Sequence, residues 1–350
     1  VAVISEGRLE VRKKAGKLVN LETLIGQGPL PQSTTGIGHT RWATHGGPTD
    51  HNAHPHVSDD GRIAVIHNGI IENFAPLRDE LIAAGVMLSS ETDSEIVAHL
   101  LARALPEVDQ DLAAAMQSVC PRLEGAFTLV AMDPSDPSLV VGARRNSPLV
   151  VGLGEGENFL ASDVAAFVDH TRNALELGQD QIVVVRADGV VVRDFAGTQV
   201  EAKPYVVDWD ASAAEKGGYD LFMLKEIAEQ PKAVADALRG RIDAEQRIQL
   251  DETALDDAVL RDITKVVVVA CGTAAHAGMV AKYAIEHWTR LPVDVELASE
   301  FRYRDPIVGP DALVIAISQS GETMDTLMAL RHAKAQGART LAICNTVGST

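Results

Sequence analysis

The spacing of apolar residues changes character partway along the chain. In the first part, short apolar runs at 62–66, 126–132, 139–142, 149–153, 181–185 and 190–192 are separated by Gly, Asp-Gly and other turn-forming residues, a pattern that predicts antiparallel strands. Three segments, 74–84, 94–104 and 112–123, repeat their apolar residues at helical spacing, the first closed by Gly85 and the second by Pro106. The opening Val1-Ala-Val-Ile4 reads as the interior of a buried strand. Strand runs and helix runs kept apart predict an α+β domain over residues 1–203.

Over 204–220 the periodicity fades, and Pro204, Trp209 and the Gly217-Gly218 pair suggest a linker. From 221 to 350 the grammar is different. A helix over 222–238 precedes strand 265–270, helix 274–288, strands 293–297 and 313–317, helix 322–335 and strand 340–344. Continuous apolar strands alternating with helices predict an α/β domain whose parallel, doubly wound sheet is covered on both faces. Ligands of such sheets sit beyond the carboxyl ends of the strands.

Composition narrows the choice of function. With 350 residues, 46% of them apolar, the chain has room for two domains with a core each. The 49 acidic residues outweigh 31 basic ones, leaving a net charge of -18, and the only basic cluster is Arg12-Lys13-Lys14. Neither nucleic acid nor a membrane surface is therefore an expected partner. The longest apolar runs are of strand length, too short to span a bilayer. Cys120, Cys271 and Cys344 lie far apart, which predicts no disulfide framework and a reducing, cytoplasmic setting. Val1 follows no leader pattern, and Asn345–Thr350 read as a strand-to-helix connection, so both ends are expected to lie inside domains of a longer chain.

Two groups of residues carry candidate chemistry. The strand 313–317 runs directly into Ser318-Gln-Ser-Gly-Glu-Thr323 and then into a helix. Hydroxyls and an amide are thereby placed beside free backbone N–H groups at a helix start, an arrangement that suits phosphate. Simple helix capping is the alternative, but four hydroxyl or amide side chains in six residues exceed what a cap needs. Ala270-Cys-Gly-Thr273 repeats the arrangement at another strand end, with Gly272 allowing close approach and Thr273 offering a hydroxyl. No phosphate-binding loop of nucleotide type or dinucleotide fingerprint is present.

The second group is His39-Thr-Arg-Trp-Ala-Thr-His-Gly46, Asn52-Ala-His-Pro-His56 and Ile66-His-Asn-Gly69. Arg41 could grip an α-carboxylate bidentately, and Asp93 could hold an α-ammonium or simply begin a helix. Asn68 and Gly69 could supply the donors of an oxyanion hole, or form an Asn-Gly hairpin turn. Six of the eleven histidines fall between His39 and His67. They lack the ligand spacing of a zinc site, so no metal is expected there.

Together with Ser90-Glu-Thr-Asp93 and Phe222-Met-Leu-Lys-Glu-Ile-Ala-Glu-Gln-Pro231, these segments resemble the glutamine–fructose-6-phosphate aminotransferase (isomerizing) family, along the whole chain and in the family's order. The resemblance implies an N-terminal-nucleophile glutaminase domain, an αββα sandwich, followed by a sugar isomerase (SIS) domain. It implies that Arg41, Trp42, Thr44, His45, Gly46 and Asp93 bind glutamine, and that Asn68 and Gly69 stabilise the tetrahedral oxyanion. Gly272, Thr273, Ser318, Gln319, Ser320 and Thr323 would bind fructose 6-phosphate, and the product would be glucosamine 6-phosphate. A homodimer is implied for the full-length protein, and no metal or organic cofactor is implied. Three departures stand out: the chain begins with Val1 and none of its cysteines takes the place of the family's nucleophilic N-terminal Cys, a second SIS domain is not found, and Ala274 occupies a position that is often Ser. The expected piece is thus inactive as it stands, and a non-catalytic sugar-phosphate-binding regulatory protein is the alternative reading.

Overall fold

The computed structural model describes residues 1–41, 46–207, 219, 221–238, 241–242, 248 and 257–346. The chain divides into two compact units, Val1–Ala213 and Ala214–Thr350.

The first unit is built on a six-stranded antiparallel sheet. Its strands run in the order Gly189–Asp194, Gln181–Arg186, Val140–Arg145, Gly125–Met132, Ala64–Ile71 and His56–Val57. Side chains alternate across a strand, so the sheet builds two cores. Val65, Phe127, Leu129 and Val141 meet Leu81, Ile96, Leu101 and Met116 of the helices Phe74–Ala83, Asp93–Ala104 and Leu112–Val119. On the other face Ala64, Val130, Met132, Val183 and Val185 meet a second layer of sheet. That layer supplies Leu149 and Val151 beside the four-stranded sheet and Ala2, Ile4 and Ile37 from a three-stranded one. Helices on one sheet and a second sheet layer behind it make three of the four layers of the expected αββα sandwich. The other described helix of this unit, Leu18–Gln27, buries none of its residues.

The second unit has a parallel sheet in the order Val293–Leu297, Lys265–Ala270, Ala312–Ser318 and Arg339–Cys344. Val267, Val269, Val314 and Ala316 pack against Phe301, Ala329 and Ala333 from the helices Ala298–Tyr303 and Met324–Ala335. Val266, Val268, Val293 and Ile315 form the opposite core with Ile285 of the helix Gly272–Thr289. That helix lies close to the sheet through Gly278, where a Cβ would come within 2.8 Å of Val268 Cγ1. The helix Phe222–Leu238 also forms, with Pro231 inside it. No described helix in the chain is long and apolar enough to cross a membrane.

Several expected boundaries move. The strand expected at 62–66 runs Ala64–Ile71, because eight consecutive residues pair with Gly125–Met132. The helix expected over 112–123 stops at Val119 and tightens to a 3-10 turn at Cys120–Arg122, where Pro121 breaks the α-helical hydrogen bonding. The helices expected from 274 and 322 begin at Gly272 and Met324, and Ser318 closes its strand rather than opening the loop. Lys203–Val206 pairs with Asn173–Glu176, so Pro204, Tyr205 and Val206 of the expected linker belong to a sheet. Apart from 207 and 219, the remainder of that span lies outside the described residues.

Phe301 is fully buried at the centre of one face of the parallel sheet. Phe301→Ala is expected to destabilise the second unit by about 3–5 kcal/mol, through lost transfer energy and the cavity left behind. Urea unfolding of the substituted and unsubstituted chains measures the difference; a loss below about 1 kcal/mol would show that this core collapses around the void.

Candidate functional sites

In the first unit, strand Ala64–Ile71 and helix Asp93–Ala104 meet at a buried carboxylate. Asp93 Oδ2 accepts the Ile71 backbone N–H at 2.9 Å, and Ser94 Oγ donates to Oδ1 at 3.3 Å. Although Asp93 is the first residue of its helix, its carboxylate is spent on the neighbouring strand. The cap is Thr92, whose Oγ1 accepts from Glu95 N and lies 3.0 Å from His56 Nε2. Arg41 lies near enough for the Asp93 charge to act on it, and its guanidinium donates to the carbonyls of Gly46 and Gly47 at 3.2 and 3.3 Å.

Asn68 and Gly69 lie three and two residues before Ile71, inside the strand, so the hairpin-turn alternative is excluded. Gly69 has φ +135°, and a Cβ there would stand 2.1 Å from the Ala126 carbonyl oxygen. Only glycine lets the strands approach this closely. The Asn68 side chain is exposed, while its carbonyl accepts from Ser147 Oγ at 3.2 Å. Arg41, Gly46, Asn68, Gly69 and Asp93 are described. Trp42, Thr44 and His45 lie outside the described residues.

Behind this group lies a set of imidazoles. His39 stacks on His54 with ring centroids 4.6 Å apart, and His54 meets His56 edge-on at 5.0 Å. His54 Nδ1 takes the His67 backbone N–H at 3.4 Å, and His67 Nδ1 lies 2.8 Å from Ser94 Oγ. Burial, followed by neighbouring positive groups, pushes His39 down to about 4 and His56 down to about 3. Burial also lowers His54, and it lowers His67 against the opposing pull of Asp93. His51 points elsewhere, towards Thr49 Oγ1 at 3.3 Å. The His51-x-x-His54-x-His56 spacing therefore does not bring its three rings onto one point.

Glu95 carries a role that the sequence reading missed. Its carboxylate accepts the backbone N–H and hydroxyl of both Ser89 and Ser90 at 2.6–2.7 Å, and His99 Nε2 stands 3.6 Å away. Burial alone would raise its pKa, but His99 and the serine donors outweigh burial and hold it well below the usual carboxylate range. The available signal was Thr92-Asp-Ser-Glu95, the spacing of a capping box. Here the glutamate reaches past the cap to order the turn in front of Asp93.

In the second unit the two expected loops lie side by side, because Ala270 pairs with Ile317 on adjacent parallel strands. After the first strand, Cys271 precedes helix Gly272–Thr289, and Gly272 takes φ +57°. Gly272 and Thr273 are exposed in the first helical turn. After the second strand, Ser318 Oγ accepts Gly321 N–H at 3.0 Å and Ser320 Oγ accepts Glu322 N–H at 3.1 Å. The serine oxygens thus hold the loop while their own O–H groups remain available as donors. Thr323 precedes the helix Met324–Ala335 without capping it through its side chain. Gln319 is exposed, its carbonyl accepting from Thr346 Oγ1 at 3.2 Å. Hydroxyl donors and the positive end of a helix converge on the carboxyl edge of the sheet, an arrangement suited to an anion. Buried Thr326 donates to Cys271 Sγ at 3.9 Å, linking the two loops from below.

Residues 39–169 match the family model described as a glutamine amidotransferase domain, and residues 259–350 match that of the SIS domain. The chain thus joins a glutamine amidotransferase domain to a SIS domain. Over all 350 residues it is 68% identical to the glutamine–fructose-6-phosphate aminotransferase (isomerizing) of Streptomyces coelicolor, covering 57% of that protein. The corresponding protein of Corynebacterium diphtheriae is 60% identical over 100% of this chain and 56% of its own length. That of Mycolicibacterium smegmatis is 61% identical over 98% and 56%. Along its whole length the chain is similar to these glutamine–fructose-6-phosphate aminotransferases (isomerizing), and it spans little more than half of their length.

Two predictions follow from the first site. Gly69→Ala is expected to destabilise the first unit by about 2 kcal/mol or more, from the left-handed φ and the contact with Ala126; an unchanged urea midpoint would contradict the close approach. The second concerns pH. His39 and His56 bind protons less readily folded than unfolded, where the imidazole titrates near about 6.5. Their contribution to stability is therefore complete above about pH 6.5 and is lost as pH falls towards the folded values. Unfolding measured across this range is expected to show that decline, with a shallower slope for His39→Gln; identical slopes would remove His39 from the cause.

Proposed function

We propose that this chain carries the glutamine site and a sugar-phosphate site of an enzyme that makes glucosamine 6-phosphate from fructose 6-phosphate with glutamine as nitrogen donor. The observation that carries this reading is the grouping of the motif residues within each unit. Arg41, Asn68, Gly69 and Asp93 gather around one strand and the helix start beside it, while Thr273 and Ser318–Thr323 share one edge of the parallel sheet.

In this reading Arg41 takes the α-carboxylate of glutamine and Asp93 its α-ammonium, with the Gly46 segment closing against them. Asn68 and Gly69 donate to the oxygen that becomes negative when the side-chain amide is attacked, which favours the tetrahedral state over the planar amide. Ammonia released there is the nitrogen that the sugar site uses. Gly272, Thr273, Ser318, Gln319, Ser320 and Thr323 hold fructose 6-phosphate, the phosphate lying against the start of helix Met324–Ala335. No metal or organic cofactor is assigned to either step. The whole protein is read as a cytoplasmic homodimer without nucleic-acid or membrane partners, in keeping with the net charge of -18.

Isothermal titration of the purified chain with each ligand tests the assignment. Ser320→Ala combined with Thr323→Val is expected to weaken fructose 6-phosphate about tenfold or more, and Asp93→Asn to do the same for glutamine, each leaving the other ligand's affinity in place. The absence of saturable binding of either ligand by the unsubstituted chain, or full affinity after these substitutions, would contradict the assignment.

A further inference from the structure

Asn52 is fully buried, and every polar atom of its side chain is engaged. Its Oδ1 accepts the Glu91 backbone N–H at 3.0 Å, while its Nδ2 donates to the Gly47 carbonyl at 3.1 Å and to Glu91 Oε2 at 3.2 Å. The orientation of the amide follows from its neighbours, because a backbone N–H can only donate and a carbonyl can only accept.

These contacts join two segments that are distant in sequence. The Gly47 carbonyl is one of the two carbonyls against which Arg41 braces its guanidinium. Glu91 lies two residues before Asp93 in the turn that Glu95 orders from its other side. The junction is tight: Gly46 has φ +74°, and a Cβ there would stand 2.8 Å from Asn52 Nδ2 and 3.2 Å from Glu91 Cβ. Gly46 is thus required both by its backbone conformation and by the side chain of Asn52.

We infer that Asn52 is a positioning residue for glutamine. It fixes the distance between the group that takes the α-carboxylate, Arg41, and the group that takes the α-ammonium, Asp93. An α-amino acid presents those two charges at a set separation, so holding their receptors in register favours glutamine over ligands that lack either charge. The inference rests on the glutamine-site assignment given above.

The test exploits the one-way character of these hydrogen bonds. Asn52→Asp keeps the shape of the side chain but turns its donor into a second acceptor, facing the Gly47 carbonyl and the Glu91 carboxylate. It is expected to weaken glutamine binding about tenfold. Adding Glu91→Gln supplies an amide that can donate to the new carboxylate, and is expected to recover most of that loss. Glu91→Gln alone is expected to leave affinity nearly unchanged, because its carbonyl still accepts from Asn52. A purely structural fault would lower the urea midpoint without lowering the glutamine affinity of the folded protein, so both are measured on each variant. Fructose 6-phosphate affinity, measured on the same samples, is expected to be constant throughout.

Undiminished glutamine affinity in Asn52→Asp, or a loss that Glu91→Gln fails to repair while the protein remains folded, would overturn the inference. Should Asn52→Asp not fold, Glu91→Ala decides. It removes one of the three bonds at an exposed residue and is expected to weaken glutamine about threefold; unchanged affinity would overturn the inference. If the unsubstituted chain binds fructose 6-phosphate but not glutamine, the glutamine assignment itself falls and takes this inference with it, a result distinct from a failure at Asn52.

Discussion

The carboxylate of Asp93, 3% exposed and bonded to the Ile71 N–H and the Ser94 hydroxyl, is the contact on which the first unit's site depends. A buried carboxylate without donors would cost several kcal/mol, on the order of what a small domain has to spare. The surroundings must therefore deliver donors to it, and in doing so they lock the helix Asp93–Ala104 to the strand that carries Asn68 and Gly69. The Ser89-Ser90 turn held by Glu95 and the Asn52 bridge at Glu91 extend the same lock outward. The acceptors Asp93 Oδ2 and Asn52 Oδ1 each take a backbone N–H from another segment, so the relative position of the segments is determined by a network rather than by one bond.

The second unit meets the same requirement differently. Its loop N–H groups at Gly321 and Glu322 are satisfied by Ser318 and Ser320 from within the loop. No distant side chain is needed, because parallel pairing of Lys265–Ala270 with Ala312–Ser318 already brings the two loops together. The architecture of the sheet performs here what side-chain bridges perform in the first unit. A parallel sheet aligns its helix starts along one edge as a consequence of its topology, whereas an antiparallel sandwich has to gather its polar residues by specific contacts.

That difference explains what could be read from the sequence. The parallel sheet and its ligand edge were legible almost throughout, since apolar strands, helices and Ser/Thr-rich loops each announce themselves over consecutive residues. In the sandwich the longer strands, such as Gly125–Met132, and the three core helices were legible as well. Arg8–Val11, Asn158–Ala161 and Asn173–Glu176 were not, because four residues are too few to establish a period. The Asn68-Gly69 pair was ambiguous for a sharper reason. A turn and a close-approach glycine look identical locally, and only the partner strand at Ala126, more than fifty positions away, distinguishes them. The roles of Asn52 and Glu91 were hidden in the same way, since their bonds span 39 positions of sequence.

The central claim is that one chain holds two preformed ligand sites, each made by its own unit. Backbone amide resonances recorded during titration test it most directly. Saturating fructose 6-phosphate should shift Gly272, Gly321, Glu322 and Thr323, whereas glutamine should shift Gly46, Gly69 and Ile71, each ligand leaving the other group in place. Shifts from either ligand confined to other parts of the chain, or no shifts at saturating concentration, would contradict it.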